Sequence, residues 1–216
     1  MSQPDPISEL KRKAQITKDS RFQAHLRLER RSYFSPYLTA LLSLYVIAIS
    51  FYPTIIALCP RETNILLAST IVLSVFIIIL SLYESSRNFY HKGKVLHENA
   101  VKLGSVINGL DVLRPDDTGF SQKLKELTDK YDNALIDCPE NHDNVDYHRV
   151  ILLKYWLFEK HYPSCASSRW LYRRWLYLRV FVSEYAWMIL PLSTVISVSV
   201  VLVMLAAGSF SYLCKS

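Results

Sequence analysis

Half of this 216-residue chain is hydrophobic and a fifth is charged, so apolar and polar stretches must be segregated along it, as they are where membrane spans join a polar part. Much of the net charge of +6 lies beside apolar runs, where it reads as membrane topology and argues against a nucleic-acid surface; no direct nucleic-acid binding is expected. Cys59, Cys138, Cys165 and Cys214 are scattered without a CxxC pair, which speaks against a zinc ribbon or a disulfide framework.

Residues 1–36 read as a basic, cytosolic juxtamembrane helix. Lys11, Arg12, Lys13, Lys18, Arg21, Arg27, Arg30 and Arg31 precede the first apolar run. Ser8 is a candidate cap, and Pro36 is placed near the first turn of the next helix. Ile7, Leu10, Ala14, Ala24 and Leu28 fall near one face, which Arg21 interrupts. Anchoring to anionic lipid is the main reading of these cations, and binding of an anionic signal is the alternative. The first thirty residues are too polar for a secretory signal, and the run that follows is too long for one.

Two apolar runs follow, about 37–59 and about 64–83, free of Lys, Arg, Asp, Glu and His. Each is long enough to cross the roughly 30 Å hydrocarbon core of a bilayer. Only Pro60-Arg61-Glu62-Thr63 separates them, so they form a transmembrane hairpin, with Pro53 expected to kink the first span or end it early. Their hydroxyls are patterned. Thr39, Ser43, Ser50 and Thr54 share about 60° of one helix, and Thr70, Ser74 and Ser81 share about 40° of the other. Packing between helices and a weakly polar pore wall both suit such a stripe.

Residues 84–168 read as a cytosolic helical region. Phe89, Gly93, Leu96, Ala100, Leu103, Ile107 and Leu110 repeat at alternating spacings of four and three, a heptad seam that continues the second span. Leu96, Ala100, Leu103, Ile107 and Leu110 are the candidate oligomerisation positions, with packing inside a helical hairpin as the simpler alternative. After the turn at Arg114–Gly119, a helix carries Phe120, Leu124, Leu127, Tyr131 and Leu135 on one face. The polar stretch Glu140–His148 reads as an Asx-capped start to a helix running from about Tyr147 to Tyr162. That helix would carry Tyr147, Ile151, Tyr155, Phe158 and Tyr162 on its apolar face. Glu140, Asn141, His142, Asp146 and Tyr147 are the candidate contacts for a partner or signal. The spacing of six between His142 and His148 does not suit a metal pair on one helix, and no metal site is expected.

Residues 169–184 interleave Trp170, Tyr172, Trp175 and Tyr177 with Arg169, Arg173, Arg174 and Arg179, the composition of an interfacial belt. Residues 185–213 then form a third transmembrane helix, kinked by Pro191, with Ser193, Ser197, Gly208 and Ser211 on one face. Eight Lys and Arg precede the first span, whereas the first turn carries only Arg61 and the end of the chain only Lys215. The positive-inside rule therefore makes this a multi-pass protein with a cytoplasmic N-terminus and 84–184 region, and an outside C-terminus. Cys59 and Cys214 would then both lie outside, where a disulfide could form between them but is not expected. Glycine-rich phosphate loops, nucleophile elbows and paired carboxylates at helical spacing in an apolar setting are missing from the sequence, so neither an enzyme nor a cofactor is expected. The fold class is an all-α integral membrane protein.

The order of motifs is distinctive. Arg30-Arg31-Ser32 leads into a span with Leu44-Tyr45 and Tyr52-Pro53, and the second span ends in Leu82-Tyr83-Glu84-Ser85-Ser86. Ile107-Asn108-Gly109-Leu110, Tyr131-Asp132-Asn133-Ala134-Leu135, Glu140-Asn141-His142 and Asp146-Tyr147 follow. This resembles the SLATT family of prokaryotic two-span effectors, most closely the subfamily found beside reverse transcriptases in defence loci. The resemblance covers roughly Leu10 to Tyr162, and the third apolar run departs from the two-span plan. It implies a bacterial inner-membrane effector that forms homo-oligomers and perforates the membrane when a cytosolic regulator encoded nearby, a reverse transcriptase or a nucleotide-signal synthase, is triggered. Some relatives are coupled to nucleotide signals, so a nucleotide ligand stays open. A membrane-anchored scaffold whose cytosolic helices recruit a partner enzyme is the alternative.

Overall fold

The computed structural model describes residues 6–55, 60–161 and 166–206, and all its regular structure is helical. In chain order the elements are α1 (Pro6–Ser50), α2 (Tyr52–Ile55), α3 (Pro60–Ser86), α4 (Phe89–Val112), α5 (Phe120–Ile136), α6 (Asn144–Leu153), a 3-10 helix (Tyr155–His161) and α7 (Ala166–Ala206). They divide into a polar unit, Met1–Arg30 with Phe89–Glu184, and an apolar unit, Arg31–Asn88 with Tyr185–Ser216.

In the polar unit the predicted faces of α1 and α4 supply buried residues. Ala14, Ala24 and Leu28 of α1 are buried, and so are all five candidate seam residues of α4. Leu103 is 0% exposed. The seam is therefore already covered within a single chain. Helices α4 and α5 meet at Gly109, where a Cβ would lie 2.7 Å from Cδ2 of Leu127, so a larger residue there would make the Leu127 side chain shift. The α4–α5 turn closes with the Arg114 backbone N–H donating to Asp117 and with Gly119 at φ 77°, a left-handed conformation that suits glycine. A second cluster gathers Val150, Ile151, Phe158 and Leu176, with Ile16, Tyr147 and Tyr172 packed against it.

Three boundaries differ from the sequence expectation. α1 is a single 45-residue helix with Pro36 inside it, because one lost backbone hydrogen bond does not end a helix whose flanks on both sides are strong formers. Residues Pro60–Thr63 are the first turn of α3, where proline loses nothing because the N–H it lacks would be unpaired there anyway. The helix expected over 147–162 runs only from Asn144 to Leu153, breaks at Lys154 and resumes as the 3-10 helix. The break lets Phe158 turn onto Tyr147 (ring centroids 5.5 Å apart) and into the second cluster, while Lys154 Nζ donates to Asp19 Oδ2 at 2.8 Å.

The apolar unit has the opposite texture. Leu41, Leu44, Ile71, Val72, Ile78 and Leu82 are all more than half exposed, which water would not tolerate over so large an area. Two helical stretches, Pro6–Ile55 and Pro60–Val112, are long and apolar enough to cross a membrane, and α7 would add a third if its two arms are one span. α1 stops at Ser50, three residues before Pro53, and α7 bends by 56° between Trp170–Ile189 and Pro191–Val200. Side chains of α1, α3 and α7, among them Leu42, Tyr45, Phe76, Ile77 and Val195, line one narrow gap. Cys59, Tyr162, Gly208, Ser211, Cys214 and Lys215 lie outside the described residues.

Candidate functional site

The polar unit builds an ionic centre from α1 and the start of α6. Asp143 caps α6, with Asp146 closing a capping box from the third helical position. The same two carboxylates hold Arg27 of α1: its Nε donates to Asp146 Oδ1 at 2.8 Å, and its Nη2 donates to Asp146 Oδ2 at 2.9 Å and to Asp143 Oδ2 at 2.6 Å. The Asp146 side chain is 2% exposed. Burial alone would lower the Arg27 pKa, but the hydrogen bonds and charge of the two aspartates outweigh it and raise the value.

Six residues earlier on α1, Arg21 is buried and donates to the side-chain oxygen of Asn99 and to the Ala134 carbonyl. Asn99 also donates to that carbonyl, at 2.6 Å. Among the described residues the hydrogen bonds of Arg21 are thus made to neutral groups, and its Nε has no partner. Burial lowers the Arg21 pKa. A buried guanidinium held only by neutral acceptors costs stability that an apolar side chain would not. Arg21 is the residue that interrupts the apolar face of α1, and Asn99 is its answer in the α4 seam.

Of the five candidate partner contacts, the structure brings Asp146 and His142 to this centre. Glu140 instead pairs with Lys92 at 3.2 Å. Tyr147 joins the apolar cluster. Asn141 is exposed, and its Oδ1 accepts from the His142 backbone N–H. Nδ1 of His142 is buried without a partner. Burial lowers the His142 pKa against the pull of Asp146 and Asp143, and the Arg21 charge adds to the lowering. A histidine kept neutral on folding binds fewer protons than it does in the unfolded chain. Stability is therefore unaffected above the unfolded value, about 6.5, and falls as the pH drops below it. We expect the melting temperature of the full chain to fall between pH 7.5 and 5.5. His142→Gln should flatten that slope, leaving a remainder from His148, which burial and Arg179 shift the same way. An unchanged slope in differential scanning fluorimetry would remove His142 from the pH response.

Glu184 of α7 is a junction missed in the sequence. It accepts from Arg149 Nη1 at 2.7 and 2.8 Å and from Arg30 Nη1, so one buried carboxylate ties α1, α6 and α7 together. Arg31 makes a separate pair with Glu84 within the apolar unit.

In the apolar unit the predicted hydroxyls turn back on their own helices. Thr39, Ser43, Ser50 and Thr54 donate to Ser35, Thr39, Ile47 and Phe51 carbonyls. Thr70 and Ser74 donate to those of Leu67 and Thr70. Thr70 is buried, Thr39, Ser43 and Ser74 are half-buried, and Ser50, Thr54 and Ser81 are exposed. A polar link between helices comes instead from Tyr45, whose hydroxyl donates to the Val195 carbonyl (3.2 Å) and lies 2.6 Å from Ser199 Oγ. Among the described residues no group of three or more His, Cys, Asp or Glu side chains could hold a metal.

Compared with known families, residues 3–206 match the model of SMODS and SLOG-associating 2TM effector domain family 5. No curated protein and no solved structure matches the chain.

Proposed function

The chain belongs to family 5 of the SMODS and SLOG-associating 2TM effector domains, and from that premise we propose that this membrane effector of a prokaryotic conflict system oligomerises and opens a pore that depolarises the inner membrane when a partner sensor is triggered. The observation that carries the reading is the exposed apolar surface of α1 and α3 in the apolar unit, which suits lipid and neighbouring copies but not water. The self-satisfied hydroxyls support it as well. Having bonded to their own backbone, they need no cross-helix partner, and they offer a weakly polar wall to water in an assembly. In this reading the N-terminus and the polar unit are cytoplasmic, and the regulator is a reverse transcriptase or nucleotide-signal synthase encoded nearby. Asn141 and Glu140 are the accessible contacts for it, and Asp146, His142 and Tyr147 act by holding the surface they stand on.

The test is membrane potential in cells expressing the chain alone and with its genomic neighbours, together with its assembly size. Depolarisation that requires the neighbours is expected. Ser74→Leu should still oligomerise yet no longer depolarise. Loss of assembly would return Ser74 to helix packing, and unchanged depolarisation would remove this face from the mechanism. A chain that binds a partner enzyme but stays small and never depolarises would favour the scaffold reading.

A further inference from the structure

Within the polar unit, α7 turns its more apolar side outward. Leu176 and Val180 are buried, whereas Trp170, Leu171, Trp175, Tyr177, Leu178 and Phe181 are between 49% and 66% exposed. With Arg174 and Arg179 these six sweep about 200° of the helix surface. A helix facing water shows the reverse distribution. The arginines are placed on the rings: Arg174 lies 5.2 Å over Trp170 and Arg179 5.2 Å over Trp175. Arg173, 5.8 Å over Tyr155, extends the surface to the exposed Tyr155 and Trp156. None of the three makes an ion pair with a carboxylate among the described residues. A guanidinium stacked on a ring still has N–H donors at its edge, which suit a phosphate.

We propose that α7 from Trp170 to Phe181 is an in-plane anchor for anionic lipid. The aromatic and aliphatic side chains sink to the acyl boundary, and Arg173, Arg174 and Arg179 bind headgroup phosphates. Charge selects lipid over a protein partner, because three cations without an ion pair among the described residues, interleaved with rings, fit an anionic surface better than a desolvated interface core. Continuity supports the choice, since the same helix runs on into the apolar unit. The proposal rests on membrane insertion of the apolar unit and not on pore formation.

The experiment uses the full chain in lipid nanodiscs, with Cys59, Cys138, Cys165 and Cys214 replaced by serine and a fluorophore on Leu178→Cys. Brominated acyl chains quench from the lipid side and iodide from water, in phosphatidylcholine discs with and without phosphatidylglycerol. A label on Val75→Cys reports insertion itself, so failure to insert is distinguishable from failure of the anchor. A label on Lys125→Cys gives the water-exposed reference. Quenching by bromolipid with protection from iodide, strengthened by phosphatidylglycerol, is expected. Arg174→Glu with Arg179→Glu should shift the label toward iodide by about fivefold per arginine lost, and the paired lysine variants should retain the anchor. Iodide quenching equal to that at Lys125 in both lipids would overturn the proposal. So would protection from both quenchers, which would mean that protein covers the face, or bromolipid quenching indifferent to lipid charge, which would leave no headgroup recognition.

Discussion

Asp146→Ala is expected to destabilise the polar unit by about 3–5 kcal/mol, because it removes one partner of a buried ion pair and leaves the other charge in place. Arg27, whose side chain is 17% exposed, would keep only Asp143, itself largely exposed. The same substitution opens the capping box, since Asp146 Oδ2 accepts from the Asp143 backbone N–H at 3.0 Å; a lost cap is worth about 1 kcal/mol. The effect should be local. Amide hydrogen exchange in α6 and the first half of α1 should rise steeply while α3 stays protected. A double variant, Arg27→Met with Asp146→Leu, removes both charges together and should recover most of the loss. If Asp146→Ala left exchange in α6 at the wild-type rate, the ionic centre would not hold the unit together.

Periodicity made the apolar faces readable because core burial repeats at the pitch of the helix. The α4 seam, the buried face of α1, the capped start of α6 and the bend beside Pro191 all follow from spacing or from one residue's backbone chemistry. The partners of the charges were not readable. Arg27 meets Asp146 across 119 positions and Arg30 meets Glu184 across 154, and no local pattern encodes which distant helices will touch. Reading the N-terminal cations as a lipid-attracted block therefore missed that Arg27 and Arg30 are held by acids of the same unit. Arg21 left a trace as the interruption of an apolar face, but no spacing marks Asn99 as its partner. The break at Lys154 left none, since it depends on where Phe158 and Asp19 lie in space.

Leu103→Asp is expected to unfold the polar unit. Leu103 is fully buried, so the substitution loses the leucine's burial, about 2–5 kcal/mol for removing such a side chain. It also places a carboxylate in a fully buried site, which adds several kcal/mol more if the charge stays unpaired. Against a total stability of about 5–15 kcal/mol for a domain, that is enough. Oligomers and toxicity should both disappear while the apolar helices still insert, because insertion draws on α1 and α3. The milder Leu103→Ala separates the two ways a seam can matter. If the seam is the chain's own core, its loss in melting temperature will not change as the protein is diluted in detergent. If the seam joins copies, the melting temperature will depend on concentration, because association stabilises by mass action. The burial of Leu96, Ala100, Leu103, Ile107 and Leu110 within one chain favours the first outcome. Oligomer contacts would then come from surfaces that only the folded chain presents, the exposed apolar residues of α1 and α3 among them. A Leu103→Asp chain that kept wild-type assembly and toxicity would show that neither depends on this core.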